Sequence, residues 1–224
     1  MINFVFMLTQ HDATVPDAVD HVAALAPTGL RYLGFKDVGA TPARQKEIND
    51  AAHEAGFVTM LEVVSESRDA EVRSVEAALT AGVDWILGGT NPDATLPMLR
   101  GSAVRYCPFP GRVVGHPSVL EGTVEEIARS AAALTGTAGV HGVDLLAYRH
   151  ATADIAELTK AVVTASSGPV IAAGSVTSAE QIRTLARAGA WGFTIGSAIF
   201  AGELPGAPDV AAQVRAVLEI ASQT

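Results

Sequence analysis

The sequence predicts an α/β fold, a single (β/α)8 TIM barrel, and three observations carry that expectation. Short apolar runs alternate with helical patterns along the chain, the order that gives parallel strands joined through helices. Eight such units can be counted in 224 residues, which leaves 28 per unit for a strand, a helix and two loops. The last two units each end their strand in a glycine-serine step, Gly174-Ser175 and Gly196-Ser197. An open doubly wound sheet shares the alternation, but eight units and paired glycine turns favour closure. One domain, residues 1–224, accounts for the whole chain, with no linker or low-complexity tract.

The elements follow in order. Strand 1 is Asn3 to Leu8 and helix 1 is Pro16 to Leu25; strand 2 is Arg31 to Phe35, running into Lys36-Asp37. Helix 2 is Pro42 to Glu54, stopped by Gly56, and strand 3 is Val58 to Val64. Helix 3 covers Asp69 to Thr80, stopped by Gly82, and strand 4, Trp85 to Leu87, ends in Gly88-Gly89. Helix 4 is the short Pro92 to Arg100, and strand 5 is Ala103 to Cys107. Pro108 to Gly122, PFPGRVVGHPSVLEG, has three prolines and three glycines and predicts a long loop without regular structure. Helix 5 is Val124 to Leu134, strand 6 is Gly142 to Ala147, and helix 6 is Thr152 to Ala165. Strand 7, Pro169 to Ala173, precedes a helix with Ile182, Leu185 and Ala186 on one face. Strand 8 is Phe193 to Ile195, and Pro208 to Ala221 is the last helix.

Composition narrows the function classes. The chain is 49% hydrophobic and 17% charged, as a globular protein with a large core is, and its formal charge of −9 disfavours nucleic acid and anionic membranes as partners. Any anionic substrate must be held by local donors. The single cysteine, Cys107, rules out an internal disulfide framework, suits a reducing cytoplasm, and reads as a buried small hydrophobe. The apolar start MINFVFML lacks a basic flank, so it reads as a strand and not a signal peptide. No run approaches the ~20 apolar residues of a membrane span. No GxGxxG follows strand 1, and no HxH, HExxH or cysteine cluster occurs, so neither a cofactor nor a metal is expected. A divalent ion at Asp12, Asp37 and Glu62 is the lesser alternative. A homodimer is the fold's usual habit, and nothing in the sequence marks its interface.

A glycine-serine step directly after each of two successive strands leaves backbone N–H groups free to point at one anion, and in (β/α)8 barrels the loops after strands 7 and 8 form the usual phosphate site. On Gly174, Ser175, Gly196 and Ser197 the segment resembles the ribulose-phosphate-binding barrels, a superfamily of isomerases, epimerases, decarboxylases and aldolases. That resemblance implies a small phosphorylated metabolite held at these four residues. Two family patterns are not matched: strand 2 reads GFKDVG and strand 3 LEVVSES, where the decarboxylases carry Asp-x-Lys-x-x-Asp and the epimerases carry strand-end histidines and aspartates.

Catalytic groups in this fold come from the C-terminal ends of the strands. Lys36 and Glu62 stand out there, because a charge in a strand packed on both sides is costly unless paired or used. Such a pair also gives a general acid and base their working range. A purely structural ion pair closing the barrel mouth is the competing account. Strand alternation sends Lys36 inward and leaves Asp37 to the loop. Candidate substrate contacts are Asp12 after strand 1, Gly88 and Gly89 after strand 4, Arg112 and His116 in the long loop, and Tyr148 and Arg149 after strand 6. The leading expectation is an isomerase or epimerase acting on a small phosphorylated sugar or keto acid, in which Glu62 moves a proton next to a carbonyl and Lys36 stabilises the oxyanion. A class I aldolase or lyase with Lys36 as Schiff-base lysine is the second; the related aldolases usually carry that lysine on strand 6, where Tyr148 and Arg149 stand here. A non-catalytic phosphometabolite-binding protein is the third.

Overall fold

The computed structural model describes residues 1–205 and 207–224. Eight parallel strands form one sheet: β1 (Asn3–Met7), β2 (Tyr32–Lys36), β3 (Val58–Val63), β4 (Trp85–Gly88), β5 (Arg105–Cys107), β6 (Val143–Leu145), β7 (Val170–Ala172) and β8 (Gly192–Ile195). The order is β6-β7-β8-β1-β2-β3-β4-β5. The two ends of that order meet, because the carbonyls of Tyr106 and Pro108 accept from the amides of His141 at 2.8 Å and Asp144 at 3.0 Å. Those bonds close the sheet into a barrel.

Each strand has two buried faces, as its apolar sequence anticipates. The outward set, Phe4, Phe6, Leu33, Phe35, Leu61, Val63 and Ile86, packs in one cluster with helical residues such as Val22, Ile48, Val75, Ile182 and Val214. Filling the barrel are Val5, Met7, Tyr32, Met60, Trp85, Leu87, Cys107 and Ile171. Gly34 makes room for one of them: a Cβ there would lie 2.3 Å from the Met7 sulfur. At the N-terminal end, Trp191 meets Tyr32 and Trp85 with ring centroids 5.3 and 5.4 Å away, which plugs the floor. Toward the C-terminal mouth the inward positions turn polar, with Lys36 and Glu62 at the strand ends and Asp144 below them.

The helices are α1 (Ala18–Leu25), α2 (Pro42–Glu54), α3 (Arg68–Ala81), α4 (Pro92–Leu99), α5 (Val124–Thr135), α6 (Ile155–Ala165), α7 (Ala179–Arg187), α8 (Ser197–Phe200) and α9 (Val210–Ser222). Side-chain caps fix where several begin. Thr41, Ser67, Asp154 and Asp209 each accept from an amide of the first turn, and Thr123 with Glu126 and Ser178 with Gln181 form capping boxes.

Three segments differ from expectation. Pro108 to Gly122 is not irregular throughout: Arg112–Val114 pairs antiparallel with Val119–Glu121. The prolines punctuate this hairpin instead of dissolving it, and buried Leu120 pins it to Phe109 and Ile127. A second small hairpin after β1 pairs Thr9–Gln10 with Ala13–Thr14. Its two turn residues, His11 and Asp12, have φ of +51° and +61°, the left-handed pair that a tight two-residue hairpin requires. Helix α6 starts later than expected because Ala147–Arg149 forms a 3-10 turn and Asp154 sets the cap. Among the described residues no helix is long and apolar enough to cross a membrane.

Candidate active site

The mouth is built from strand ends inward. Lys36 is the last residue of β2 and Glu62 sits in register beside it on β3. Both are buried, 6% and 4% exposed, and Lys36 Nζ lies 3.5 Å from Glu62 Oε2. The β1 hairpin brings in a third charge. Thr14 anchors that hairpin by donating its hydroxyl to the Lys36 carbonyl (2.9 Å) and accepting from the Lys36 amide (2.8 Å). With the hairpin so held, Asp12 accepts from Lys36 Nζ at 2.8 Å. Arg149, in the turn after β6, grips the same carboxylate with both terminal nitrogens, Nη1 to Oδ2 at 2.9 Å. Glu62, Lys36, Asp12 and Arg149 therefore form one alternating chain of charges across the mouth.

Their environments set their protonation. Burial alone would raise Asp12, but hydrogen bonds from Arg149 and Lys36, and the charges behind them, hold its carboxyl well below the ordinary carboxylate range. Burial alone would lower Lys36; the Glu62 charge, with the hydrogen bond and charge of Asp12, more than offsets it and raises the ammonium above an ordinary lysine. Lys36 is thus held as a cation. Asp144, on β6, behaves oppositely. It is 0% exposed, neither carboxylate oxygen has a hydrogen-bond partner, and burial followed by the Glu62 charge pushes it well above the ordinary range.

The four charged residues of the mouth line a cavity of about 310 Å3 that also touches Gly174, Ser175, Gly196 and Ser197. The loop after β7 turns through left-handed backbone at Gly174 (φ +78°) and Ser175 (φ +58°). A Cβ at Gly174 would stand 2.5 Å from Arg149 Nε, so the absent side chain admits the arginine. At Gly196 a Cβ would lie 2.7 Å from the Thr9 carbonyl oxygen, and His11 N donates to Ser197 Oγ at 3.2 Å, so the β8 loop and the β1 hairpin are packed together. Among the described residues, the non-glycine residues with left-handed backbone are His11, Asp12 and Ser175, and all three line this cavity. Such conformations cost about 1–3 kcal/mol each and cluster where ligands bind.

The other sequence candidates lie elsewhere. Gly89 is shaped by structure: a Cβ there would be 2.5 Å from Glu71 Oε1, and at Gly88 one would meet the Val63 carbonyl oxygen at 2.5 Å. Arg112 pairs across its hairpin with Glu121 and is largely exposed, and His116 is exposed at the hairpin tip. The Tyr148 hydroxyl donates to the Gln181 carbonyl at 3.3 Å and packs toward α7. Asp37 turns out of the mouth, accepting from the Val64 amide at 3.0 Å and from the hydroxyls of Ser65 and Ser74, so Asp12, Asp37 and Glu62 do not converge. Cys107 is fully buried, as its strand placement implied. Asp144 was not singled out by sequence; its signal is a carboxylate between Val143 and Leu145, on the face of the strand opposite theirs.

No family model matches the chain, and no curated protein matches it by sequence. Solved structures do. A native KDPGal structure superposes with a TM-score of 0.70 at 19% identity, covering 99% of this chain and 96% of that one. By fold, the chain stands with the (β/α)8 barrels. Orotidine 5'-phosphate decarboxylase from Pyrococcus horikoshii OT3 gives 0.68 at 14% identity over 98% of this chain and 99% of its own. The N-acetylmannosamine-6-phosphate 2-epimerase from Clostridium perfringens gives 0.62 at 14% over 88% and 86%.

Proposed function

We propose that this chain is an isomerase or epimerase that moves a proton next to the carbonyl of a small phosphorylated sugar or keto acid. The observation that carries the reading is that a buried Lys36–Glu62 pair opens onto the same cavity as the two glycine-serine loops. A phosphate held by the loop amides of Gly174, Ser175, Gly196 and Ser197 would leave the rest of a small ligand pointing at that pair. Two of the structurally similar barrels act on phosphorylated compounds by name, which agrees with such a ligand.

The step is a simple transfer. A Glu62 oxygen takes the proton from the carbon beside the carbonyl, the C–H electron pair moves into an enolate, and the Lys36 ammonium meets the charge that develops on oxygen. Returning the proton to the former carbonyl carbon, while the hydroxyl proton of the enediolate passes to the neighbouring oxygen, completes an isomerisation; delivery to the opposite face of the same carbon, after the enolate turns in the cavity, completes an epimerisation. Asp12, itself gripped by Arg149, holds the ammonium in place from the far side. A Schiff-base lysine must lose its proton before attack, and a lysine held as a cation by two carboxylates is poorly suited to that.

Calorimetric titration with a panel of sugar phosphates, paired with turnover assays, tests the proposal. Wild type binds and turns over at least one member, and Glu62→Gln binds it with turnover lost. Equal turnover in Glu62→Gln removes Glu62 from the mechanism, and a borohydride-trapped adduct on Lys36 would favour the aldolase alternative.

A further inference from the structure

We propose that Asp144 holds a proton inside the barrel and acts as a positioning residue behind Glu62, so that Glu62 and Asp12 remain the only two carboxylates drawing on the Lys36 ammonium among the described residues. The inference rests on the proton-transfer reading above and assigns a group which that reading leaves unused.

The geometry carries it. Val143 and Leu145 belong to the outer cluster with Ile127, Ala131, Leu158 and Val162, so alternation sends Asp144 into the barrel, where Cys107 and Ile171 lie. Asp144 is paired in register with Ile171 and its amide forms one of the two bonds that close the barrel. It is completely buried, yet neither oxygen finds a donor. An ionised carboxylate so placed would forfeit its solvation without compensation, whereas a neutral carboxyl tolerates the site far better.

The groups facing it reinforce this. Glu62 from β3 acts on it as a like charge; Lys36 from β2 and Arg149 from the turn after β6 act in the opposite sense but are outweighed by burial and Glu62. Cys107 from β5 is itself buried, and desolvation holds its thiol protonated, so it brings no charge to the site. The two cations are already matched by Glu62 and Asp12, so a charge on Asp144 would leave the cluster one anion in excess. With Asp144 neutral, Lys36 stays on Glu62 and the base keeps its orientation.

Infrared spectroscopy of the free protein tests this without any substrate, so the result stands apart from the fate of the proposed reaction. Wild type at neutral pH shows the carbonyl stretch of a protonated carboxyl, shifted in heavy water; Asp144→Asn loses it, and Glu62→Gln, which removes the like charge beside it, lowers the pH at which the band disappears. The pH dependence of stability gives a second readout. A carboxyl raised in the folded state contributes fully below the unfolded value of about 4, and that contribution is lost as pH rises toward the folded value, so Asp144→Asn flattens the decline. No such band in wild type, a band that survives Asp144→Asn, or a pH dependence of the band that Glu62→Gln leaves unmoved overturns the proposal. Should Asp144→Asn fail to fold, the wild-type and Glu62→Gln spectra still decide it.

Discussion

Two sides of the barrel mouth carry the same sequence signal, glycine directly after a strand, and use it differently. After β4, Gly88 and Gly89 leave room for protein: the Val63 carbonyl, Phe109 and the Glu71 carboxylate occupy the space that side chains would need. Glu71 is 1% exposed and saturated, accepting from the amides of Thr90 and Asn91, the Asn91 side chain and the Thr95 hydroxyl. After β7 and β8, Gly174 and Gly196 also make room for protein, Arg149 and Thr9, but they border the cavity whose Lys36, Glu62, Asp12 and Arg149 are paired with one another across the mouth, with Glu203 lining it outside those pairs. A buried charge satisfied by backbone amides builds a loop; a buried charge held by other charges beside a cavity is available for chemistry.

That contrast can be broken by substitution, starting with the largest effect. Glu62→Gln and Lys36→Met should each lower turnover by about 10^2–10^4-fold while leaving phosphate-ligand affinity near wild type, measured by steady-state kinetics and calorimetry. On the other side, Glu71→Ala should cost about 3 kcal/mol of stability in urea titrations, because several buried donors lose their acceptor, and should leave ligand affinity in the surviving folded protein unchanged. Gly196→Ala should weaken phosphate binding by at least about tenfold, since the new methyl group meets the Thr9 carbonyl and Oγ1 and must displace the β8 loop.

Asp12 gives a pH signature. Its carboxyl is depressed in the folded chain, so its stabilisation is present above the unfolded value of about 4 and is lost as pH falls through the folded value. Asp12→Asn should therefore cost about 2 kcal/mol at neutral pH and show a shallower loss of stability on acidification. The smallest effects belong to the hairpin over the mouth: Arg112→Ala and His116→Ala should each change stability by less than about 0.5 kcal/mol, because both side chains are exposed.

These differences explain what the sequence could disclose. The strands and helices were legible because their apolar periods and glycine stops act locally. Lys36 and Glu62 were legible for a related reason: a lone charge in an apolar strand is visible without coordinates. Asp144 offers the same signal, but the strand holding it is short and the residues facing it come from strands far away in sequence. Asp12 along the chain reads equally well as a turn or cap residue, and it does occupy a turn; only the hairpin register, pinned by Thr14 on Lys36, aims its carboxylate at the ammonium. Gly88-Gly89 and Gly174-Ser175 look alike along the chain, and each borders a cavity; what separates them is the charge each meets, the amide-satisfied Glu71 in one case and Arg149 with the Asp12, Lys36 and Glu62 charges in the other.

Solvent-deuterium incorporation into a panel of phosphorylated ketoses and keto acids in heavy water, followed by proton NMR with wild type and Glu62→Gln side by side, tests the central claim most directly. The account predicts that wild type exchanges the hydrogen beside the carbonyl of at least one phosphorylated compound, and that Glu62→Gln abolishes the exchange while still binding that compound. Exchange that continues undiminished in Glu62→Gln, or no exchange in any compound that wild type binds, would contradict it.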